Sequence, residues 1–468
     1  MVPPNHSVDD RLRPAEGPAG RIFLECTYTY FYGGNTGIQR VVRSLCNRCR
    51  EVGAQIGVEC TPIVHDDKQF YPVTEVRLER AANRRMRKTP GPVDFYFRNI
   101  YHHLRKLLYA VLPFPQVARF LFAPRDSFGL NAILLAPYRF LATSFHGGRR
   151  RKDETLPEPL RFRRGDVIVL LDSSWLVDLW GALSVAREEG AKVVGVVYDL
   201  IPLTHSRFCV EELVRGFEAW LGRICPRADA FIAISNTISR GFREYLLGHP
   251  ELCNASDKKF DFFYLGTELD NYDPAGKVRR KVRKAFEITN PSRMYLTVGT
   301  IEPRKNHAYL LDAFDKVWEK CGDVGLCLVG GKGWSIEDLW MRICTHPLFR
   351  KRLFMFNDLT DTELAYCYRR SKALVYPSMM EGFGLPLVEA LHQRLPVFAS
   401  DIPIFREVGG EYCVFFDLAS CGSLARLIVD FEKTGHLPPV RSAGEFNWPG
   451  WDESTRSLLE KTQALFRE

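Results

Sequence analysis

The stretch SMMEGFGLPLVEAL, Ser378–Leu391, decides the reading of its half of the chain. A Gly-Phe-Gly turn runs straight into an apolar segment of helical period, and two glutamates, Glu381 and Glu389, stand eight positions apart around it. The helix is predicted to begin near Leu385, with Glu389 on it and Glu381 in the loop before it. Free backbone N–H groups and the positive end of the helix dipole meet at such a start, which suits an anion. The carboxylates would not touch that anion but would accept hydrogen bonds from hydroxyl groups on either side of it. The pattern points to a ligand with hydroxyls flanking a diphosphate, as in a nucleotide sugar.

Outward from this stretch, short β-rich apolar runs alternate with longer segments of helical period. RIFLE, IGVEC, VIVLL, KVVGVV, AFIAI and FFYL form one series; MYLTV, VGLCLV, LFMF, ALVY and PVFAS form another. Such alternation predicts α/β layers with parallel sheets. The polar segment from Gly266 to Lys284, with Pro274 and Gly276, separates the series as a linker. A chain of 468 residues divides naturally into two domains. The expected layout is a leader over 1–20, a first Rossmann-like domain over 21–272, a second over 285–447 and a closing helix over 448–468 that either completes the second domain or packs back on the first. Two doubly wound sheets whose ligands lie beyond the strands' carboxyl ends would face one another across a central cleft.

The thirteen cysteines are scattered and odd in number, with no paired CxxC spacing and no Cys/His cluster of zinc type, which predicts a reducing, cytoplasmic setting and core packing. The polar, proline-rich start lacks the apolar core of a signal peptide. The net charge of +8 is uneven: Arg77 to Arg164 carries nineteen Lys or Arg against six Asp or Glu. This basic insertion contains a helical stripe, Ile100, Leu104, Leu107, Leu108 and Val111, interrupted as a membrane span by Pro113 and Pro115. With the turn GGRRRK, through Arg149, Arg150, Arg151 and Lys152, it fits an anionic membrane surface. A helix packed on its own domain is the other reading. Zinc-finger spacing and RRM-type aromatic motifs are missing, so no nucleic-acid partner is expected.

The segment TVGTIEPRKNH, Thr297–His307, follows the first strand of the second series. Gly299 and Thr300 permit close backbone approach, and Arg304 with Lys305 places two cations just past the strand end, where they would neutralise a departing diphosphate. Cations at a helix start oppose its dipole, so a compensating anion is expected.

Together these residues resemble the retaining GT-B glycosyltransferases of family four. That family carries a glutamate, seven intervening residues and a second glutamate, matched by Glu381 and Glu389, and a basic pair matched by Arg304 and Lys305. The resemblance is strong from Met294 to Glu407 and patchy before. It implies that Glu389 binds ribose hydroxyls, that Glu381 contacts the transferred sugar, and that the amides of Phe383, Gly384 and Leu385 approach the phosphates and sugar. Gly330 and Gly331, with Asn357 and Leu359, would border the base. In the first half, YFYGGNTGIQRVV puts Gly33, Gly34 and Gly37 at a strand-to-helix turn that the family places near the diphosphate; tight turns need glycine in any case. In VVYDLIPLTH, Tyr198 stands where relatives often carry histidine, leaving Asp199 to orient the acceptor hydroxyl or to cap the next turn, and His205 to a structural or acceptor-side place.

The resemblance implies a metal-independent hexosyltransferase without a cofactor, using a nucleotide-sugar donor, GDP-mannose favoured, and a lipid-linked saccharide acceptor at the inner membrane face, in bacterial surface-polysaccharide synthesis. No Asp-x-Asp pair stands at a strand end. Two other classes stay open: a sugar-nucleotide epimerase on the same fold, distinguished by an epimer formed from donor alone, and a non-catalytic binding module, distinguished by the absence of transfer or hydrolysis.

Overall fold

The computed structural model describes residues 20–34, 36–66, 68–77, 157–269, 272–289 and 293–467. The amphipathic stripe and the basic turn, like the leader apart from Gly20, lie outside the described residues. Residues 20–77 and 159–467 belong to one unit containing two sheets.

The first sheet has β1 (Ile22–Glu25), β2 (Cys60–His65), β3 (Phe70–Pro72), β4 (Val167–Leu170), β5 (Lys192–Val197), β6 (Ala230–Ala233) and β7 (Lys259–Phe262), ordered β3-β2-β1-β4-β5-β6-β7. All pairs are parallel except β2 with β3. The second has β8 (Met294–Val298), β9 (Gly325–Val329), β10 (Leu353–Phe356), β11 (Ala373–Tyr376), β12 (Val397–Ser400) and β13 (Cys413–Phe416), all parallel, ordered β10-β9-β8-β11-β12-β13. In both sheets the winding reverses beside the first strand, opening a crevice beyond the strands' carboxyl ends. The architecture is α/β and GT-B-like: two doubly wound lobes joined through 263–279.

Helices cover both faces, so the inner strands are buried throughout and read as unbroken apolar runs; β1, β4, β9 and β11 are buried along their length. Two strands are displaced from their expected places. IGVEC is mostly a turn, because Gly57 takes a positive φ of 71°, and β2 runs instead through Pro62 to His65. FFYL is the departure into the linker, and β7 lies just before it on the half-exposed KFDF.

Helices α1 (Thr27–Tyr32) and α2 (Gly37–Gln55) follow β1; α3 (Glu211–Ile224) precedes β6, and α4 (Asn236–Leu247) follows it. In the second lobe α5 (His307–Lys320) follows β8, α6 (Leu385–His392) follows β11 and α7 (Pro403–Gly409) follows β12. The last helix, α8 (Trp451–Ala464), returns to the first lobe and packs on α2, with Asp452 3.0 Å from Arg48. Its start is fixed by the linker. Glu268 accepts from the Trp451 amide at 2.8 Å, and a Cβ on Gly266 would strike that tryptophan at 2.6 Å. Of the cysteines, all free, eight are buried and Cys344 is exposed. Among the described residues no helix is long and apolar enough to cross a membrane, and no group of three or more His, Cys, Asp or Glu is placed to hold a metal.

Candidate active site

The reversal in the second sheet lies between β8 and β11, and there the two sequence motifs meet. After β8, Pro303 starts a short 3-10 turn over Pro303–Lys305 that ends at Asn306, in the left-handed region at φ 57°. This turn holds Arg304 and Lys305 over the carboxyl end of β11. The Met379 amide donates to the Arg304 carbonyl at 2.8 Å, stitching the loops together.

Glu381 is the anion that compensates both cations. Its Oε2 accepts from Arg304 at 2.7 Å, and its Oε1 accepts from Lys305 and from the Tyr376 hydroxyl, the latter at 3.0 Å. Arg304 also pairs with Glu302 at 2.7 Å. Burial opposes ionisation of Glu381, but Arg304 and Lys305 outweigh it and hold the carboxyl at about 2. Burial likewise works against the Arg304 charge, yet Glu381, Glu302 and Asp199 raise its pKa overall. Lys305 is drawn down by burial, with Glu381 opposing. The cluster is an ionised, desolvated triad that a second anion would enter by competing for the cations.

The turn between the glutamates has two steric reasons for glycine. Gly384 stands at φ 104°, where a Cβ would also meet the Phe405 ring at 2.8 Å, and it starts α6 with Pro386 in the first turn. A Cβ on Gly382 would lie 2.2 Å from the Tyr198 carbonyl oxygen, so the loop touches the first lobe's backbone directly. Phe383 is buried against Tyr264 and Trp448, at 6.4 and 5.9 Å between ring centroids. The amides of Gly384 and Leu385 belong to the helix start, where no preceding carbonyl within the helix can satisfy them.

Glu389, 2% exposed, faces the other lobe. Its Oε2 accepts from the Tyr368 hydroxyl at 2.8 Å, while its Oε1 lies 2.8 Å from Nη2 of Arg40 on α2. The second approach is close but misaligned, and Oε1 receives no hydrogen bond of good geometry.

Gly299, at φ 150°, sits with Lys305 alongside, and Gly330 is pressed so close that a Cβ would fall 1.8 Å from the Gly299 oxygen. Gly331 borders open space; Thr300 and Asn357 are exposed and Leu359 is half-buried, at the ends of β8 and β10. Gly37 opens α2 with nothing within 4 Å of a Cβ, and Thr36 caps that helix with Gln39.

Asp199 follows β5 and accepts from the Ile201 amide at 3.0 Å, so it does cap the next turn. It also fronts a cavity of about 160 Å³ shared with Arg304 and Ile38 and walled by Trp175, Phe217, Trp220 and Trp334. Burial raises its pKa, with the Arg304 charge opposing. The Tyr198 hydroxyl is committed to the Leu171 carbonyl at 2.7 Å and points away from proton chemistry in the cleft. His205 is exposed and bonds its neighbour Thr204 at 2.8 Å.

Three residues of the cleft went unread in sequence. Arg40 was signalled only by its place one turn into the helix after the glycine loop. Tyr376 ends an apolar strand with a polar atom at the crevice. Glu407, on α7, accepts from the amides of Asn236 and Thr237, both at 2.7 Å, and so caps α4 of the opposite lobe. Trp334 adds a further bridge, its indole N–H donating to the Phe208 carbonyl at 2.8 Å.

Residues 278–438 match the family described as glycosyl transferases group 1. The serotype-specific mannosyltransferase WbdA of Escherichia coli is 30% identical over 310 residues, 65% of this chain and 38% of the relative. The O-antigen chain mannosyltransferase RfbU of Salmonella typhimurium is 36% identical over 245 residues, 50% of this chain and 64% of the relative. The chain thus spans under two fifths of the length of WbdA. Among solved structures, Anabaena HepE in complex with UDP-glucose superposes with a TM-score of 0.51 at 15% identity, covering 94% of both chains. Sucrose-phosphate synthase of Thermosynechococcus elongatus does so with a TM-score of 0.50 at 16% identity, covering 95% of this chain and 96% of its own. The second lobe thus matches the group 1 glycosyl transferases, and both lobes share the GT-B architecture of these solved structures.

Proposed function

We propose that the chain is a retaining, metal-independent hexosyltransferase that moves mannose from GDP-mannose to a saccharide carried on lipid, in the synthesis of a bacterial surface polysaccharide such as O-antigen. The observation that carries this reading is the Glu381–Arg304–Lys305 cluster at the switch point of the second sheet, facing Asp199 across the cleft. The curated relatives supply the sugar and the setting, being named mannosyltransferases of O-antigen type.

The donor's diphosphate enters beside Arg304 and Lys305 and the start of α6, with the ribose at Glu389 and the base along Gly330, Gly331, Asn357 and Leu359. As the bond from sugar to diphosphate loosens, the two cations stabilise the leaving charge. The acceptor hydroxyl approaches on the same face from the side of Asp199, and its proton passes to the departing phosphate oxygen, so the anomeric configuration is kept. The aromatic walls of the cavity supply apolar faces for a sugar ring. No step calls on a metal or a cofactor. The basic segment outside the described residues is assigned to an anionic membrane surface, which would hold the chain at the inner face of the cytoplasmic membrane.

A thermal-shift screen with GDP-, UDP- and dTDP-sugars tests the donor, because a ligand that binds only the folded state raises its stability. GDP-mannose is expected to give the largest shift, and stabilisation by UDP-sugars alone would overturn the choice of base. Transfer is tested with GDP-mannose and a lipid-linked saccharide, reading the new linkage by NMR. Replacing both Arg304 and Lys305 with alanine should cut turnover more than about tenfold, each lost contact to developing charge being worth roughly 2 to 4 kcal/mol. Undiminished transfer would refute their role.

A further inference from the structure

The cavity in front of Asp199 takes its walls from both lobes, but unequally. Of the described residues that line it, Arg304 and Trp334 alone come from the second lobe; the others belong to α2, the turn after β4, β5 with the loop that follows it, and α3. Arg304 is held by Glu381 and Glu302. Trp334 has no place in that cluster, yet it supplies the second lobe's one aromatic ring in the lining.

The loop that carries Trp334 follows β9 and is braced at its base. The Ile301 amide donates to the Gly331 carbonyl and the Gly333 amide to the Ile301 carbonyl, both at 2.9 Å. A Cβ on Gly333 would fall 2.6 Å from the Ile301 oxygen, so the two loops are in direct contact there. Ser335 stands at φ 52°, an uncommon conformation for a residue with a side chain. From this base the indole reaches the first lobe, its N–H donating to the Phe208 carbonyl at 2.8 Å. The bracing bonds are all backbone to backbone, so Gly330 and Gly331, assigned above to the donor base, would keep their places without the indole.

The cavity is chemically divided. Trp175, Phe217 and Trp220 form a fixed block, with Trp175 5.5 Å from Phe217 and 5.7 Å from Trp220 between ring centroids, and the Trp220 N–H given to the Ser174 hydroxyl. Asp199 and Arg304 supply the polar part of the lining. A pyranose is divided in the same way, between a face of C–H bonds and an edge of hydroxyls. The slightly positive C–H bonds suit the electron-rich face of an indole, and a carboxylate accepts from the hydroxyls. At about 160 Å³ the cavity is smaller than the roughly 300 to 1,000 Å³ of sites that enclose a drug-sized ligand, so it admits one ring.

Resting on the nucleotide-sugar reading above, we propose that Trp334 is an acceptor-binding residue contributed by the donor lobe, stacking on the acceptor's terminal pyranose while Asp199 takes that ring's hydroxyl edge. The hydrogen bond to Phe208 fixes the plane of the indole. The acceptor pocket is therefore complete only while the lobes stand together, and it loses a wall when they part.

The test is saturation-transfer NMR on the full chain in the presence of GDP, with the methyl α-glycosides of mannose, glucose, galactose and N-acetylglucosamine as single-ring probes. At least one should bind wild type. W334A and W334L should weaken that glycoside by about tenfold, the scale of a lost aromatic contact, while W334F, which keeps a flat ring without the N–H, should weaken it by no more than about threefold. GDP affinity measured by calorimetry should stay within about twofold of wild type in all three, because the braced loop base does not depend on the indole. W334L replaces W334A should that variant fail to fold. Undiminished glycoside binding in W334A or W334L, equal loss in W334F and W334A, or loss of GDP and glycoside together would overturn the stacking role, as would a wild type that binds none of the four glycosides. A wild type that binds a glycoside but none of GDP, UDP and dTDP would overturn the donor reading and leave the saccharide pocket standing.

Discussion

Replacing Glu381 with glutamine should tighten the binding of a nucleoside diphosphate while destabilising the free protein. The carboxylate is nearly buried, with 7% of its side chain exposed, and is held at about 2 against an ordinary 4.5. At about 1.4 kcal/mol per unit, that depression corresponds to about 3 kcal/mol of coupling, chiefly to Arg304 and Lys305. Because the folded value lies below the unfolded one, this stability is complete above pH 4.5 and is lost as pH falls through about 2. At neutral pH Glu381→Gln therefore forfeits about 3 kcal/mol and leaves two cations without their shared anion. A diphosphate restores the missing charge. If it recovers about half of the coupling, affinity rises roughly tenfold, which corresponds to about 1.4 kcal/mol. The pH dependence has a definite sign. Lys305 is drawn down by burial and by Arg304, and Glu381 opposes both, so without Glu381 it loses its proton at lower pH. The gain in affinity should be largest in mildly acidic buffer and fade as pH rises. Urea unfolding and GDP calorimetry of the two proteins at pH 6 and pH 9 would read both effects, and an unchanged urea midpoint with GDP affinity equal to or below wild type would refute the reasoning.

Gly382→Ala puts a Cβ 2.2 Å from the Tyr198 carbonyl, so it should hold the lobes apart. Transfer should fall by about 100-fold, the scale set by an ångström of misplacement, with GDP affinity within a few-fold of wild type, and normal turnover would show that this contact is not part of the working state. Glu407→Gln removes the charged cap that α7 gives α4, a loss of about 1 to 3 kcal/mol, and should raise the radius of gyration of the ligand-free protein in small-angle scattering; an unaltered radius would assign closure to other contacts. Asp172, pushed up to about 7 by burial and by Glu25, is neutral in the folded protein at pH values where the unfolded chain is ionised, so it lowers stability progressively from about pH 4 to pH 7. Asp172→Asn should remove this fall in stability over that range in urea titrations, and a difference from wild type that does not vary with pH would exclude the titration.

Legibility in the sequence follows burial and distance along the chain. Strands β8 and β11 coincide with MYLTV and ALVY because inner parallel strands are covered on both faces and leave an apolar run with no polar phase. At the margin of the first sheet that signal fails. Pro62 argues against a strand where β2 runs, and β7, at the sheet edge, alternates polar Lys259 and Asp261 with its phenylalanines. β13 is an apolar run too, yet CVFF follows a Gly-Gly-Glu turn and is short enough to pass for a loop with buried ends. The same division holds in the site. Arg304, Lys305, Glu381 and Glu389 were legible because each motif is local, and the expected counter-anion for the basic pair exists as Glu381. Arg40 and Glu407 act on partners in the other lobe, and the contact of Glu407 with Asn236 spans 171 positions. No local spacing encodes such a pair; it exists only once two separately wound sheets face each other. Gly382 belongs to both classes. Read locally, it is a glycine in a turn before a helix, but the atom that excludes a side chain there is a carbonyl oxygen of the opposite lobe, so its requirement is set by how closely the two lobes approach.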